Sequence, residues 1–332
     1  MVALAVPLFI SEISPAHIRG RLNTGSHIAM FVGVLITFVL AKWLNYQLLA
    51  VAMMVPTVLM TIMLFWPKES PRWLLQIGRR EAALHSVLFY HGPEGRKELA
   101  AIEGRIYETE DFRFRDLVRP HIYRPFLCAL LVMFVHQSAG MAVLVVFAND
   151  ILQDANASLS PTDAAIIVGA VQVYALAACA VFMDRLGRKI LILSSTLATA
   201  LSLFLLGYSF YLKEHSAEAF GRSYGWLPIV AMTLYIVAFC IGLAAVPWTL
   251  LGEILPLGVR GFASGFCTAF SFGYSFLLIK EFYVLQHLLT TAGTYWLFGA
   301  VLLLGFVLIL AFLPETKGKT LEEIEHFFWT GD

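Results

Sequence analysis

The chain has 332 residues, 59% of them hydrophobic and only 14% charged, and its 23 basic and 23 acidic side chains cancel to a formal net charge of zero. A mean hydropathy of +0.76 excludes an ordinary soluble domain and identifies an integral membrane protein. With no net charge and no basic patch interleaved with aromatics, no nucleic-acid partner is expected.

The first ten residues, MVALAVPLFI, are apolar but too short to cross a bilayer. They lack the basic n-region and A-x-A cleavage site of a signal peptide, so the expectation is the tail of a helix that begins upstream. Next stands EISPAHIRG, Glu12 to Gly20, and it returns 241 positions later as EILPLGVRG, Glu253 to Gly261. Glu, Ile, Pro, Arg and Gly keep identical offsets. An apolar stretch follows each copy, then a Pro-led coda, PKES at 67–70 and PET at 314–316. A repeat on this scale marks two homologous halves.

Apolar runs long enough to span roughly 30 Å of hydrocarbon fall at 25–41, 48–66, 125–148, 164–183, 190–212, 226–252, 262–279 and 292–313. They are apolar on every face rather than alternating, so the backbone must be satisfied by helices and not by a barrel. The expected fold class is an all-α membrane bundle of eight full transmembrane helices plus a partial one, with helices between two halves on the cytosolic side. Three helices precede the second phrase within its half and a fourth ends on it, whereas only a stub precedes the first. By that symmetry roughly three helices are expected upstream of residue 1.

The segment 67–121 carries the charge that the spans lack. Its SPRWLL start offers Ser70 as an N-cap and Pro71 as the first helical residue, and the periodic Leu, Ile and Phe predict short amphipathic helices. Orientation follows from basic residues in alternate loops. Of the 23, Lys42, Lys213, Arg222 and Lys280 lie on one side and the remaining nineteen on the other, which puts the phrases, the long loop and the carboxyl terminus in the cytosol. Asn156, Ala157 and Ser158 then form a glycosylation sequon on the outer side. Cys128, Cys179, Cys240 and Cys267 all lie inside spans and read as packing thiols, with no disulfide frame or metal spacing. No HExxH, nucleotide loop or GxSxG elbow is present, so neither an enzyme nor a cofactor is expected.

In each phrase a carboxylate and a guanidinium stand seven residues apart where a helix end meets the cytosol, Glu12 with Arg19 and Glu253 with Arg260. Arg can donate two parallel hydrogen bonds to a carboxylate, so such pairs can act as a latch. His136 is read as the one titratable side chain deep in a predicted span, which makes it a functional suspect. Substrate binding or pH sensing on the one hand, and a neutral imidazole bonded to a neighbouring helix on the other, stand open together.

The two phrases, PKESPRWLL at 67–75, DRLGRK at 184–189, VPW at 246–248 and PETKGKTLEEIE at 314–325 together resemble the sugar porter family of the major facilitator superfamily. The resemblance runs along nearly the whole chain, and in detail is nearest to facilitative glucose transporters of the intracellular class and arthropod facilitated trehalose transporters. It implies four regions: residues 1–66 as a remnant of the amino-terminal bundle (end of helix 4, helices 5 and 6), 67–121 as a cytosolic helical linker, 122–314 as a carboxyl-terminal six-helix bundle, and 315–332 as a cytosolic tail. It further implies that Glu12, Arg19, Glu69, Arg72, Asp184, Arg185, Arg188, Glu253, Arg260 and Glu315 tie the bundles to the cytosolic helices and separate as the cavity opens inward.

HQSAGMAVLVVF, 136–147, resembles the family's QQxSGxNxxxxY. Gln137 and Gly140 match, while His136, Ala142 and Phe147 replace Gln, Asn and Tyr. By the same resemblance His136, Gln137, Gln172, Trp248 and Ser271 are the expected substrate contacts. AAVPW at 244–248 lacks the family's Gly, although Pro247 remains to break the helix. The implied function is facilitative transport of a sugar, a hexose such as glucose or a disaccharide such as trehalose, by a monomer in the plasma membrane or an endosomal or lysosomal membrane. A transporter-like sugar sensor or an inactive truncated paralogue is the alternative.

Overall fold

A computed structural model describes residues 2–15, 18–106, 119–146, 161–216, 220–256, 258–319 and 321–330. Every regular element among them is helical. Helix α1 (Val2–Ile13) ends on the first repeated phrase, and α2 (Arg19–Ala41) and α3 (Tyr46–Met63) follow. Asn45 starts α3, its side chain accepting a hydrogen bond from the Leu48 N–H at 3.1 Å.

Three short helices come next: α4 (Pro71–Gln76), α5 (Arg80–His91) and α6 (Gly95–Ile106). Ser70 caps α4, its side chain accepting from the Trp73 N–H at 3.4 Å, and Pro71 opens the helix, as the sequence indicates. Leu74, Ala83, Val87 and Leu99 join these helices in a small core of their own.

The remainder is a larger bundle of α7 (Pro120–Ser138), α8 (Met141–Val146), α9 (Pro161–Leu186), α10 (Arg188–His215), α11 (Leu227–Ile241), α12 (Val246–Ile254) and α13 (Arg260–Phe312), closed by α14 (Leu321–Thr330). Helix α10 packs on α11 and α13, α7 on α13 and α12, and α14 lies against α7 and α12. Helices α1 and α2 dock on this bundle through α12 and α9.

Seven helical segments among the described residues are long and apolar enough to cross a membrane. None of the residues of α3 is buried by protein, and Val51, Met54, Val55 and Val58 are more than half exposed. A predominantly apolar helix left open in this way is a lipid-facing span, because so large an apolar surface is not left in water. The protein is therefore a multi-pass integral membrane protein.

Three stretches depart from the uniform rods expected along the sequence. The predicted helix over 125–148 breaks at Ala139 and Gly140, with Gly140 at φ +73°, before α8 begins. The predicted helix over 226–252 breaks at 242–245, and Pro247 sits in the first turn of α12, where its missing N–H costs nothing. Where two helices are expected at 262–279 and 292–313, a single 53-residue run is interrupted at Thr290, whose φ of 67° is foreign to a β-branched residue in a helix. Thr290 restarts the helix beyond it, its Oγ1 accepting from the Gly293 N–H at 3.3 Å.

Candidate functional site

The candidate site has two parts, a cluster of charged residues in the place of the expected latch, at the basic end of the bundle, and a polar group where two spans break. The repeated phrases meet in the cluster. Gly252 makes this possible: a Cβ there would lie 2.4 Å from the Ser11 hydroxyl, so α1 and α12 approach along a surface without a side chain. Ser11 in turn donates to the Pro7 carbonyl at 2.7 Å and accepts from the Asn23 amide at 3.1 Å, which ties α2 to the same junction.

Two ion pairs in this cluster run between elements. Glu12 of the first phrase faces Arg260 of the second at 3.6 Å, and Glu253 pairs with Arg188 at 3.1 Å. The expected pairing of Glu253 with Arg260 is thus replaced. The physical reason is that Arg260 turns its Nε and Nη2 back onto the Leu255 carbonyl, at 3.1 and 2.9 Å, leaving only Nη1 toward Glu12. Glu12 and Glu325 supply negative charge around the Arg260 guanidinium, against Arg72 and Arg19.

The Arg188–Glu253 pair is the deepest part, its side chains 2% and 1% exposed. Thr316 completes it by donating its hydroxyl to the other Glu253 oxygen at 2.6 Å. Glu315 caps α10: its carboxylate accepts from the Arg188 and Lys189 N–H groups at 2.9 and 3.1 Å, where the helix dipole favours negative charge. Gly187, at φ +98°, leaves room for that carboxylate, since a Cβ would sit 2.5 Å from Glu315 Oε2. The Lys317 ammonium donates to the Arg185 carbonyl at 2.6 Å.

Of the other residues expected in the latch, Arg19 and Arg72 are buried, and Arg19 donates a long hydrogen bond of 3.5 Å to the Ser14 carbonyl. Glu69 contributes its backbone, its carbonyl accepting from Ser86 Oγ at 2.6 Å while its side chain is exposed. Beside it Tyr90 accepts from the Lys68 N–H at 3.0 Å and donates to the Lys68 carbonyl at 2.8 Å. Burial pushes the Tyr90 pKa up, the bond to Lys68 opposes that, and the Glu69 charge adds to the rise. Arg80 bonds Glu103 across α5 and α6 and holds that carboxyl below the usual range. The side chain of Asp184, and all of Phe147 and Asn156, lie outside the described residues.

The second part forms where the two broken spans lean on one another. His136, just before the break after α7, bonds through Nδ1 to the Leu243 carbonyl inside the other break, at 2.7 Å. Tyr235, on the helix leading into that second break, donates its hydroxyl to the Ala139 carbonyl inside the first, at 2.8 Å. Each interruption therefore satisfies a backbone group that the other has freed, as a polar backbone at membrane depth requires. Ser195 of α10 completes the brace, accepting from the Leu243 N–H at 2.9 Å and donating to the Ala238 carbonyl at 2.6 Å.

His136 lies edge-on to Trp248, ring centroids 5.9 Å apart, and beside Phe239 at 5.6 Å. Trp248 in turn meets Phe272 at 6.1 Å. Gln137 donates to the Ser271 hydroxyl at 2.9 Å. The expected contacts on α7, α12 and α13 are thus brought together. Gln172 is buried on α9, and among the described residues no hydrogen bond joins it to the other four.

A second histidine, buried and not anticipated from the sequence, lies on α2. His27 of α2 is buried, bonds through Nδ1 to the Asn23 carbonyl at 3.1 Å, and lies near enough to His136 to interact with it electrostatically. A carbonyl can only accept, so in both neutral rings Nδ1 carries the proton and Nε2 is left as an acceptor. Neither Nε2 has a hydrogen-bond partner among the described residues. The signal that points to His27 is a histidine set inside an apolar run of α2.

No group of three or more His, Cys, Asp or Glu able to hold a metal occurs among the described residues. The four cysteines are buried and free.

Residues 1–328 match the family described as sugar (and other) transporter. The chain is 32% identical over 332 residues to the facilitated trehalose transporter Tret1 of Drosophila erecta, covering 98% of this chain and 38% of that protein. It is 33% identical to Tret1 of Polypedilum vanderplanki, covering 98% and 65%. The chain thus spans under two fifths of the Drosophila relative and less than two thirds of the Polypedilum one. Among solved structures, the proton:xylose symporter XylE bound to 6-bromo-6-deoxy-D-glucose superposes with a TM-score of 0.83 at 24% identity, over 98% of this chain and 70% of that one, a likeness of fold.

Proposed function

The chain belongs to the sugar (and other) transporter family, and on that premise we propose that it serves facilitative transport of a sugar, a hexose such as glucose or a disaccharide such as trehalose. The observation that carries this reading is the pair of mutually braced helix breaks with His136, Gln137, Trp248 and Ser271 gathered beside them. Discontinuous helices with polar side chains at mid-depth are where carriers of this architecture hold solute, because hydroxyls entering a bilayer need partners there. Trp248 offers an aromatic face for the apolar side of a sugar ring. His27 and His136 offer acceptor nitrogens to its hydroxyl protons.

In this reading residues 1–66 and 122–314 are the two moving parts, 67–121 is the linker beneath them and 315–332 the tail. The basic end faces the cytosol. Helix α13 crosses twice, giving eight full spans and a partial one, since 53 residues at about 1.5 Å each extend some 80 Å, well beyond twice a hydrocarbon core. The latch holds the cytosolic side shut. Glu12 to Arg260 joins the two parts, and Arg188 with Glu253 and Glu315 stiffens the carboxyl part so that it moves as one body. The molecule acts as a monomer in the plasma membrane or an endosomal or lysosomal membrane.

Uptake of radiolabelled trehalose and glucose into proteoliposomes tests this. The expected result is saturable, counterflow-competent uptake of one of the two, lost in Trp248→Ala. Binding of sugar without any flux across the membrane would refute the carrier reading.

A further inference from the structure

We propose that the crevice between α7, α13 and α14 binds an anionic phospholipid of the adjoining leaflet, with its phosphate on Arg124 and an acyl chain among Leu127, Leu308, Phe312 and Phe327. The crevice has a volume of about 650 Å³, within the roughly 300–1,000 Å³ of small-molecule sites. One wall is the stripe Tyr123, Leu127 and Leu131 at helical spacing on α7; Leu308 and Phe312 of α13 form the other. Phe327 and Phe328 of α14, rings edge to face at 5.5 Å, close the end. Apart from backbone, its polar groups are the Arg124 guanidinium, the Tyr123 hydroxyl and the Cys128 thiol.

Charge complementarity selects the occupant. Arg124 lies in the second turn of α7, exposed, with no ion-pair partner among the described residues. A second cation stands close by, the Lys319 ammonium lying 5.3 Å from the Phe327 ring centroid. An apolar slot open to lipid, with a planar fork of donors at the end where the span leaves the hydrocarbon, matches a phosphate diester on an acyl chain. A neutral sugar would leave the slot's apolar lining unmatched. The lipid would also fasten α14, which carries Glu325 into the charge cluster around Arg260, to the bundle.

The test needs no transport. The full chain is placed in nanodiscs holding equal amounts of phosphatidylglycerol and phosphatidylcholine with identical acyl chains, and lipids retained on release are weighed by native mass spectrometry. We expect at least fivefold enrichment of phosphatidylglycerol on the unaltered chain, falling to within twofold of parity in Arg124→Gln. Loss of retention of both lipids is expected in Leu308→Trp, which fills the slot. As a readout on the unaltered fold, alkylation of Cys128 by N-ethylmaleimide, identified by its absence in Cys128→Ser, should be several-fold slower in phosphatidylglycerol than in phosphatidylcholine. Equal retention and equal alkylation in the two lipids would overturn the proposal. So would an Arg124→Gln variant of unchanged melting temperature that keeps the preference.

Discussion

Gly187 and Glu253 show how much of the latch rests on single atoms. A methyl at Gly187 meets the Glu315 carboxylate and a φ of +98° at once, so Gly187→Ala should destabilise the protein by about 1–3 kcal/mol. A melting temperature in detergent equal to that of the parent would contradict this. Glu253→Gln removes the charge that compensates a guanidinium 2% exposed, and breaking such a buried pair costs about 3–5 kcal/mol. By contrast Lys42→Ala, which breaks the exposed pair with Asp163 at the other end of the bundle, should cost no more than about 1 kcal/mol. The two melts, run side by side, check the contrast. Neither value can be read from spacing along the chain, because the Glu253 partner, Arg188, lies 65 positions away on another helix.

At the scale of elements, the paired breaks and the short helices α4 to α6 carry the testable content. His136→Leu leaves the Leu243 carbonyl without its donor, a loss of about 1–3 kcal/mol, whereas His136→Gln keeps a donor and should retain most of the stability. If both variants melt alike, the brace between the breaks is not made by this bond. On α6, Glu103 has a folded-state pKa lowered by Arg80, so the pair's contribution is present above the ordinary carboxylate pKa of about 4.3 and disappears as pH falls through the lower folded value. Hydrogen-exchange protection in α5 and α6, taken relative to the intrinsic amide rate at each pH, should therefore fall on acidification to about pH 3, and Glu103→Gln should flatten that dependence. The caps here were legible in advance: Ser70 and Pro71 announce α4 because their chemistry is local. The breaks were only half legible. Pro247 marks one, but nothing local to the HQSAG stretch shows that the break at Ala139 and Gly140 is satisfied by a tyrosine hydroxyl on α11.

For the whole molecule, the decisive contact is the one that links the two copies of the repeated phrase. Exchanging its charges, Glu12→Arg with Arg260→Glu, should recover part of the stability that each single reversal loses, with a coupling of about 0.5–3 kcal/mol in a double-mutant cycle. Additive losses would mean that the two copies are neighbours without being coupled. The amino-acid sequence by itself determined the solvent, the helical class, the run of apolar spans, the duplicated phrase and the family, because hydropathy and motif spacing are properties of contiguous residues. Only the tertiary structure decided which acid meets which base and that two interrupted helices brace one another. Those contacts join residues tens to hundreds of positions apart, and their partners are chosen by competition among several chemically equivalent groups, Arg188 against Arg260 for Glu253, which packing alone resolves.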